Sequence, residues 1–186
     1  MSGIPYLPRD ISFDEEEDSR ILAAIKSRRP SGLSAFDRVL LHAPKIAGPW
    51  LELASAVRFK TSISSSIRET AIARAYSINR VEEEWNIHSA NLLKSPDNSI
   101  TAQFVDFVKN CPTGQVLSRY KAAGLCEKYA AVLALTDAST LQIQVPAEVL
   151  ELAKEFFSSQ ELVELLAAIA LHNAVARVFG AFDIKL

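Results

Sequence analysis

The segment from residue 68 to residue 88 holds the densest group of side chains that could move a proton. Glu84 and His88 are four positions apart, so on a helix they share one face and lie within reach of each other. Trp85 borders the same face and would form an apolar wall beside the imidazole. An imidazole paired with a carboxylate in an apolar pocket can donate or accept a proton near neutral pH. The spacing therefore indicates a candidate acid/base site.

A second carboxylate, Glu69, lies on the preceding predicted helix. It is in register with Ile72, Ala73 and Tyr76, on the side of that helix that we expect to be buried. A buried carboxylate needs a partner, because unpaired burial costs free energy, and His88 on the neighbouring helix is a natural one. Spacing alone favours a simpler interpretation, in which a solvated run of glutamates lies beside a histidine on a helix surface.

Other polar side chains are weaker candidates for binding a substrate. Tyr76 could donate a hydrogen bond to a substrate oxygen, although a core tyrosine with a satisfied hydroxyl is more common. Arg177 follows His172 and Asn173 in one polar stripe. Its guanidinium could bind a substrate carboxylate, although a salt bridge to an acidic neighbour is the commoner use. His42, at the end of a predicted apolar helix, is equally well explained by a structural role.

Several common functional patterns are absent from the sequence. It has no glycine-rich phosphate loop, serine elbow or HExxH motif, and its three histidines are scattered, so we expect neither a metal ion nor a cofactor. The net charge is −2 with both signs interspersed, which argues against nucleic acid and anionic membranes as partners. The partner that we expect is a small-molecule substrate.

The elements that position these residues are predicted to be helices throughout. Glycine is scarce, with six residues, and apolar side chains recur at spacings of three and four, as in an all-α protein. Short helical patterns occupy residues 99–124, and residues 141–145 are predicted to be a loop. The longer predicted helices are Glu16 to Arg28, Ser34 to the residue before Pro44, Pro44 through Val57, Ser64 or Ser65 through Tyr76, Glu82 to Lys94, Leu125 to Thr136, Pro146 through Phe156, and a last helix capped by Ser158 or Ser159.

Length and composition predict a single domain, 1–186, in which residues 1–15 form an extended N-terminal arm. The most apolar stretch, residues 162–182, is interrupted by polar side chains and is predicted to be a core helix rather than a membrane span. Residues 1–10 lack the apolar core of a signal peptide. Cys111 and Cys126, with fourteen residues between them, are expected to be buried or idle thiols. These features predict a cytoplasmic protein.

Six short segments carry a resemblance to a known family: residues 4–8 (IPYLP), 40–50 (LLHAPKIAGPW), 61–69 (TSISSSIRE), 84–88 (EWNIH), 161–165 (ELVEL) and 171–177 (LHNAVAR). In this order and spacing they resemble the carboxymuconolactone decarboxylase family, which shares the helical AhpD fold with the alkylhydroperoxidases. The resemblance covers nearly the whole chain, and the order of the segments is more specific than any one of them.

The redox members of that family carry a glutamate, a CxxC motif twelve residues later, and a histidine four residues after the second cysteine. Here Glu69 and His88 occupy the outer positions, whereas Val81 and Glu84 stand where the cysteines would be. A dithiol peroxidase mechanism needs a thiolate and a resolving thiol, and neither residue supplies one. The EWxxH sequence instead resembles the non-redox branch.

The resemblance implies an all-α, AhpD-like fold, assembly as a homo-oligomer (dimer, trimer or hexamer), and a cofactor-free enzyme of the lyase or isomerase type. Its substrate would be a small organic acid, lactone or polyketide-like ring. His88 would donate or accept the proton, Glu69 would orient and tune it, and Glu84 would be a second acid/base or a polar wall. Trp85 would shape the pocket, which in the family lies near the segment of His42. Two alternatives stay open: a peroxide-reducing antioxidant enzyme and a non-catalytic ligand-binding oligomeric module.

Overall fold

A computed structural model describes residues 3–185, and all regular secondary structure in that range is helical. The helices are α1 (Glu16–Ser27), α2 (Ala35–Leu40), α3 (Pro44–Phe59), α4 (Ser65–Asn79), α5 (Glu82–Leu93), α6 (Ala102–Asn110), α7 (Val116–Arg119), α8 (Glu127–Leu141), α9 (Ala147–Lys154) and α10 (Ser159–Phe182). They group into two compact units. The first comprises the chain up to Lys60 and from Arg177 onward, and the second is Thr61–Ala176.

The first unit is built on α1 packed against α3. Its core consists of five buried side chains: Leu22, Ile25, Leu33, Leu41 and Ala47. Ser34 and Asp37 form a capping box at the start of α2, in which each side chain accepts a hydrogen bond from the backbone of the other residue. The capping box confirms Ser34 as the predicted helix start.

The second unit surrounds α4, which packs against α5, α6 and α8. Ser64 caps α4 by accepting a hydrogen bond from the Ile67 amide, as the sequence predicts. Ten of its residues between Ser66 and Tyr76 are buried, so α4 is enclosed on nearly all sides. A helix enclosed in this way can hold polar side chains only where a neighbouring helix offers each of them a partner.

One such side chain is Arg74, which is 1% exposed. Its Nε and Nη2 atoms donate to the two carboxylate oxygens of Asp137 on α8, at 2.6 and 3.0 Å. Its Nη1 atom donates to the carbonyl of Val108 on α6, and the amide of Gly114 donates to Asp137 from the segment before α7. These hydrogen bonds tie α4 to α6, α7 and α8.

The turn from α4 to α5 sets the register of the two helices. Arg80 follows α4 in the left-handed conformation (φ 58°), and the Val81 amide donates to the Tyr76 carbonyl. This backbone pattern closes a helix C-terminus and is usually made by glycine. The turn lets α5 begin at Glu82, as predicted, and run back along α4.

Most predicted helices are present, with differences at their ends. Pro146 is the N-cap of α9 rather than its first residue. The helix predicted to end at Thr136 continues to Leu141, because the next residue, Asp137, is buried and paired with Arg74. Residues 3–15 form no helix, and the first two residues of the predicted arm lie outside the described range. The single-domain organisation stays a prediction.

By length and composition α10 could cross a membrane, with a mean hydropathy of 1.6 over its most apolar window. Half of that window is buried inside the protein, as in the core helix of a globular protein.

Ser158 begins α10 with a capping box to Glu161, which selects Ser158 over Ser159 as the cap.

The Arg74–Asp137 pair generates a prediction on stability. Arg74→Ala should lower the free energy of unfolding by about 3–5 kcal/mol, because it leaves the buried carboxylate without its charge partner. Urea denaturation followed by circular dichroism measures this change. The exposed pair Lys154–Glu151 is the control, since Lys154→Ala should cost at most about 1 kcal/mol. Equal small losses in both variants would contradict a structural role for Arg74.

Candidate acid/base site

Glu69 and His88 meet inside the second unit. The Nδ1 atom of His88 lies 2.6 Å from Oε2 of Glu69, and the two residues are only 4% and 5% exposed. A carboxylate can only accept, so His88 donates from Nδ1, and this hydrogen bond leaves its other nitrogen, Nε2, to face the rest of the site. The simpler interpretation, a histidine on a helix surface, is not what the structure shows.

Glu84 approaches the same imidazole from within α5. Its Oε2 atom lies 3.6 Å from Nε2 of His88, at the (i, i+4) spacing expected from the sequence. The Glu84 side chain is 16% exposed, which makes it the more solvated of the two carboxylates around His88. Each nitrogen of His88 therefore faces a carboxylate, one at hydrogen-bond distance and one at a longer distance.

Two opposing effects act on the pKa of His88. Burial is the largest and would lower the pKa, because it disfavours the charged imidazolium. The hydrogen bond to Glu69, the nearby carboxylate of Glu84 and the negative charges of both together outweigh burial, so the pKa lies above its ordinary value of 6.5. The site therefore favours a protonated His88 near neutral pH.

Arg68 is part of this charge arrangement, although it was not among the predicted site residues. Its Nε atom lies 3.9 Å from Oε1 of Glu69, on the side of the carboxylate away from His88. The Arg68 side chain is largely buried. The one sequence feature that relates Arg68 to the site is its position next to Glu69. Adjacent residues on a helix usually point in different directions, so this feature did not predict the contact.

Tyr76 and a residue from α10, His172, complete the inner part of the site. The Tyr76 hydroxyl lies 2.7 Å from Nδ1 of His172, and the Tyr76 ring stacks on His88 with 5.4 Å between ring centroids. The predicted position of Tyr76 on the buried side of α4 is therefore what the structure shows. His172 was noted in the sequence only as one member of a polar stripe.

A weak internal similarity was the one sequence signal that could have placed α10 here. Residues 65–79 and 159–173 are both apolar segments of helical pattern that begin after a serine and have an asparagine at the last position. In the structure these asparagines meet, because Asn79 donates from Nδ2 to Oδ1 of Asn173 at 2.8 Å. Asn79 follows Tyr76 by about one helical turn and Asn173 directly follows His172, so this hydrogen bond holds α10 against α4 beside the site.

Of the remaining predicted substrate-binding residues, Trp85 belongs to the second unit, and His42 and Arg177 belong to the first. Trp85 is buried, and the ammonium of Lys109 lies 5.1 Å from its ring centroid. His42 belongs to the first unit, where Nε2 lies 2.8 Å from the Pro5 carbonyl oxygen. Arg177 also belongs to the first unit and is exposed. Substrate binding by these three residues stays a prediction.

The two positions that hold cysteines in redox members of the family that the sequence resembles contain no thiol here. Val81 is the buried N-cap of α5 and Glu84 lies in its first turn. Of the two free cysteines, Cys111 is buried, and burial raises the pKa of its thiol, whereas Cys126 is exposed. Among residues 3–185, no group of three or more His, Cys, Asp or Glu side chains is arranged to hold a metal ion.

Comparison with known proteins gives a result at the level of fold. No protein-family model and no curated protein matches the sequence. A solved structure from Agrobacterium tumefaciens does match, with a TM-score of 0.64 and 18% identity, over 78% of this chain and 93% of that one. It is described as ATU0492, a protein of unknown function with a suggested role as the antioxidant defence protein AhpD. The chain therefore has the AhpD-like, all-helical fold that its sequence predicts.

Proposed function

We propose that this protein is a cofactor-free acid/base enzyme that acts on a small organic acid, lactone or polyketide-like ring. Decarboxylation, isomerisation and ring rearrangement are the reactions that such a site can run. The observation that carries the proposal is the buried imidazole of His88, held between the carboxylates of Glu69 and Glu84. A histidine with one nitrogen anchored and the other directed at a second polar group is the usual arrangement of a general acid or base.

The charge around His88 favours the role of proton donor. Its raised pKa keeps the imidazolium populated near neutral pH, and Glu69 fixes the ring so that Nε2 carries the mobile proton. In a decarboxylation, the bond to the carboxylate carbon breaks, carbon dioxide leaves, and the electron pair remains on the substrate. His88 then gives its Nε2 proton to the substrate carbon that has lost the carboxylate, and recovers a proton from water.

The two carboxylates have different parts in this proposal. Glu69 is a positioning residue, since it touches the nitrogen of His88 that does not face the substrate. Glu84 is more exposed and lies beside Nε2, where it can accept the proton from His88 or return one to it. Assembly as a homo-oligomer and a cytoplasmic location belong to the same proposal. Light scattering of the purified protein measures the first, and cell fractionation tests the second.

The antioxidant alternative rests on the suggested role of the Agrobacterium protein, which is similar to this chain in fold. Thiol peroxidases reduce peroxide with a reactive thiolate and then form a disulfide with a resolving thiol. Val81 and Glu84 cannot take part in that chemistry, and the raised pKa of Cys111 disfavours its thiolate. The acid/base proposal accounts for the residues that the site does contain.

The decisive experiment measures the transfer of hydrogen from solvent to the product. Purified protein is incubated in D₂O with small carboxylic acids, lactones and cyclic ketones, and solvent deuterium in the products is detected by mass spectrometry. Metabolites that accumulate after deletion of the gene extend the panel. His88→Gln should lower the incorporation rate about 10²–10⁴-fold, because the general acid is lost, whereas Glu83→Gln should retain it. Unchanged incorporation in a correctly folded His88→Gln variant would exclude His88 as the acid.

A second prediction separates the carboxylates. Glu69→Gln should lower the pKa of His88, because an adjacent negative charge favours imidazolium. If His88 is the acid, the limb of the pH–rate profile that falls at high pH should move to lower pH. If His88 is the base, the limb that rises at low pH should move in the same direction. Glu84→Gln should have the smaller effect and Glu83→Gln none, and equal slight effects of the first two would mean that Glu69 and His88 are not coupled.

The same coupling has a consequence for stability. The folded pKa of His88 lies above 6.5, so the stabilisation from protonated His88 is fully present below pH 6.5. It is lost as the pH rises through the folded pKa. Urea denaturation of the wild type between pH 6 and pH 9 should show this decline, and Glu69→Gln should weaken it.

A third prediction concerns the cysteines. Replacing Cys111 and Cys126 together by serine should leave proton transfer nearly unchanged, because neither thiol is at the redox positions of the family pattern. The measurement is deuterium incorporation beside an assay of thiol-dependent peroxide consumption. Peroxide consumption by the wild type that disappears in the double variant would support the antioxidant alternative instead.

A further inference from the structure

Three aromatic rings from three helices meet at the centre of the candidate site. The ring centroids of His88 and His172 are 5.1 Å apart, and Tyr76 lies 5.4 Å from His88 and 5.3 Å from His172. The contacts of His172 with both other rings are edge-to-face. A substrate that reaches His88 therefore also meets His172.

The partners of the two histidines differ in charge. His88 is hydrogen-bonded through Nδ1 to the carboxylate of Glu69, whereas His172 is hydrogen-bonded through Nδ1 to the neutral hydroxyl of Tyr76. A carboxylate stabilises imidazolium, and a neutral hydroxyl does not. A second imidazolium would also be repelled by protonated His88 at this distance. The arrangement favours a charged His88 beside a neutral His172.

The hydrogen bond from Tyr76 also selects the tautomer of His172. A phenol hydroxyl is the stronger donor and a bare imidazole nitrogen the stronger acceptor, so Tyr76 donates to Nδ1. The proton of neutral His172 is then on Nε2, which makes Nε2 a hydrogen-bond donor. Because Tyr76 is 1% exposed, its hydroxyl is not diverted to water and the tautomer is held.

We propose that His172, held by Tyr76, is the electrophilic half of this site and donates a hydrogen bond from Nε2 to the substrate oxygen on which negative charge develops. This inference rests on the proposed function and adds the group that stabilises its carbanion or enolate. A neutral donor fixed before the reaction stabilises such an oxygen without having to reorganise. His172 is half-buried, so it connects the enclosed rings to the solvent side of the site.

This division of roles narrows the substrate class. The electron pair freed by bond cleavage moves onto a conjugated carbonyl or lactone oxygen, which accepts the hydrogen bond from His172. His88 then transfers its Nε2 proton to the carbon, and His172 keeps its own proton throughout. The substrate must therefore carry a carbonyl group in conjugation with the bond that breaks, as an enolisable acid, lactone or ketone does.

The tautomer of His172 can be measured by NMR in the absence of any substrate. Nitrogen-15 NMR of histidine-labelled protein at pH 7 should show His172 neutral with its proton on Nε2. Tyr76→Phe should shift its Nδ1 resonance toward a mixture of tautomers. The matched control is Tyr129→Phe, which removes another hydroxyl of the same unit, bonded to Asp97, and should leave His172 unchanged. A His172 that carries its proton on Nδ1, is an imidazolium at pH 7, or does not respond to Tyr76→Phe would overturn the proposal.

Stabilisation of an oxyanion is tested with 4-nitrophenolate, whose absorption band responds to hydrogen bonds at its oxygen. The wild type should bind it with a shifted band, and His172→Gln should bind it at least about tenfold more weakly, the loss expected for a hydrogen bond to a charged oxygen. Equal affinity in the two proteins, or no binding by the wild type, would overturn the role of His172. Neither test measures deuterium incorporation. A result that excludes His88 as the acid can therefore be distinguished from a result that excludes the role of His172.

Discussion

Pairing of the charges inside α4 is the constraint on which this structure depends. The helix is enclosed on nearly all sides, yet it carries Glu69 and Arg74, both less than 6% exposed. A charge in such a place costs several kcal/mol unless a partner meets it with good geometry. Arg74 finds Asp137 of α8, and Glu69 finds His88 of α5. The positions of both neighbouring helices are therefore determined by charges on α4 as well as by apolar packing.

The residue that anchors α4 and the residues of the candidate site lie on different sides of this helix. Glu69 and Arg74 are five residues apart, which places them about 140° apart around a helix of 3.6 residues per turn. Tyr76 follows Glu69 by seven residues and returns to within about 20° of its direction. One side of α4 thus anchors the fold through Arg74, and another presents Glu69 and Tyr76 to His88. Changes on the second side can alter the chemistry while the anchor stays in place.

The local features of the fold could be predicted from the sequence because they depend on neighbouring residues. The caps at Ser34 and Ser64 follow from side chains that accept from amides three positions later. The extension of α8 past Thr136 could not be predicted in this way. Asp137 is polar and would end a helix on the basis of local pattern, and only its pairing with Arg74, 63 positions away, explains its burial.

The site itself was predictable in part for the same reason. Glu84 and His88 share a helix, so their proximity follows from helical geometry. The contact between Glu69 and His88 joins two helices; the expected burial of Glu69 and the resemblance to a family both pointed to it, but spacing alone did not predict it. His172 is 96 positions from Tyr76, and no periodicity relates residues so far apart. Contacts between helices that are far apart in the sequence cannot be predicted from local sequence patterns.

The position of Glu84 shows how one scaffold can support different chemistry. It lies in the first turn of α5, where the helix dipole favours negative charge. In the redox members of the family that the sequence resembles, a cysteine takes this place, and the same field would favour its thiolate. Here the field acts on a carboxylate, and Val81 supplies no second thiol. Glu69 and His88 stand at the outer positions of the same pattern, and the carboxylate of Glu84 adds to the negative surroundings that raise the pKa of His88. The fold fixes where these side chains lie, whereas the chemistry open to them depends on residues 81 and 84, which here supply one carboxylate and no thiol.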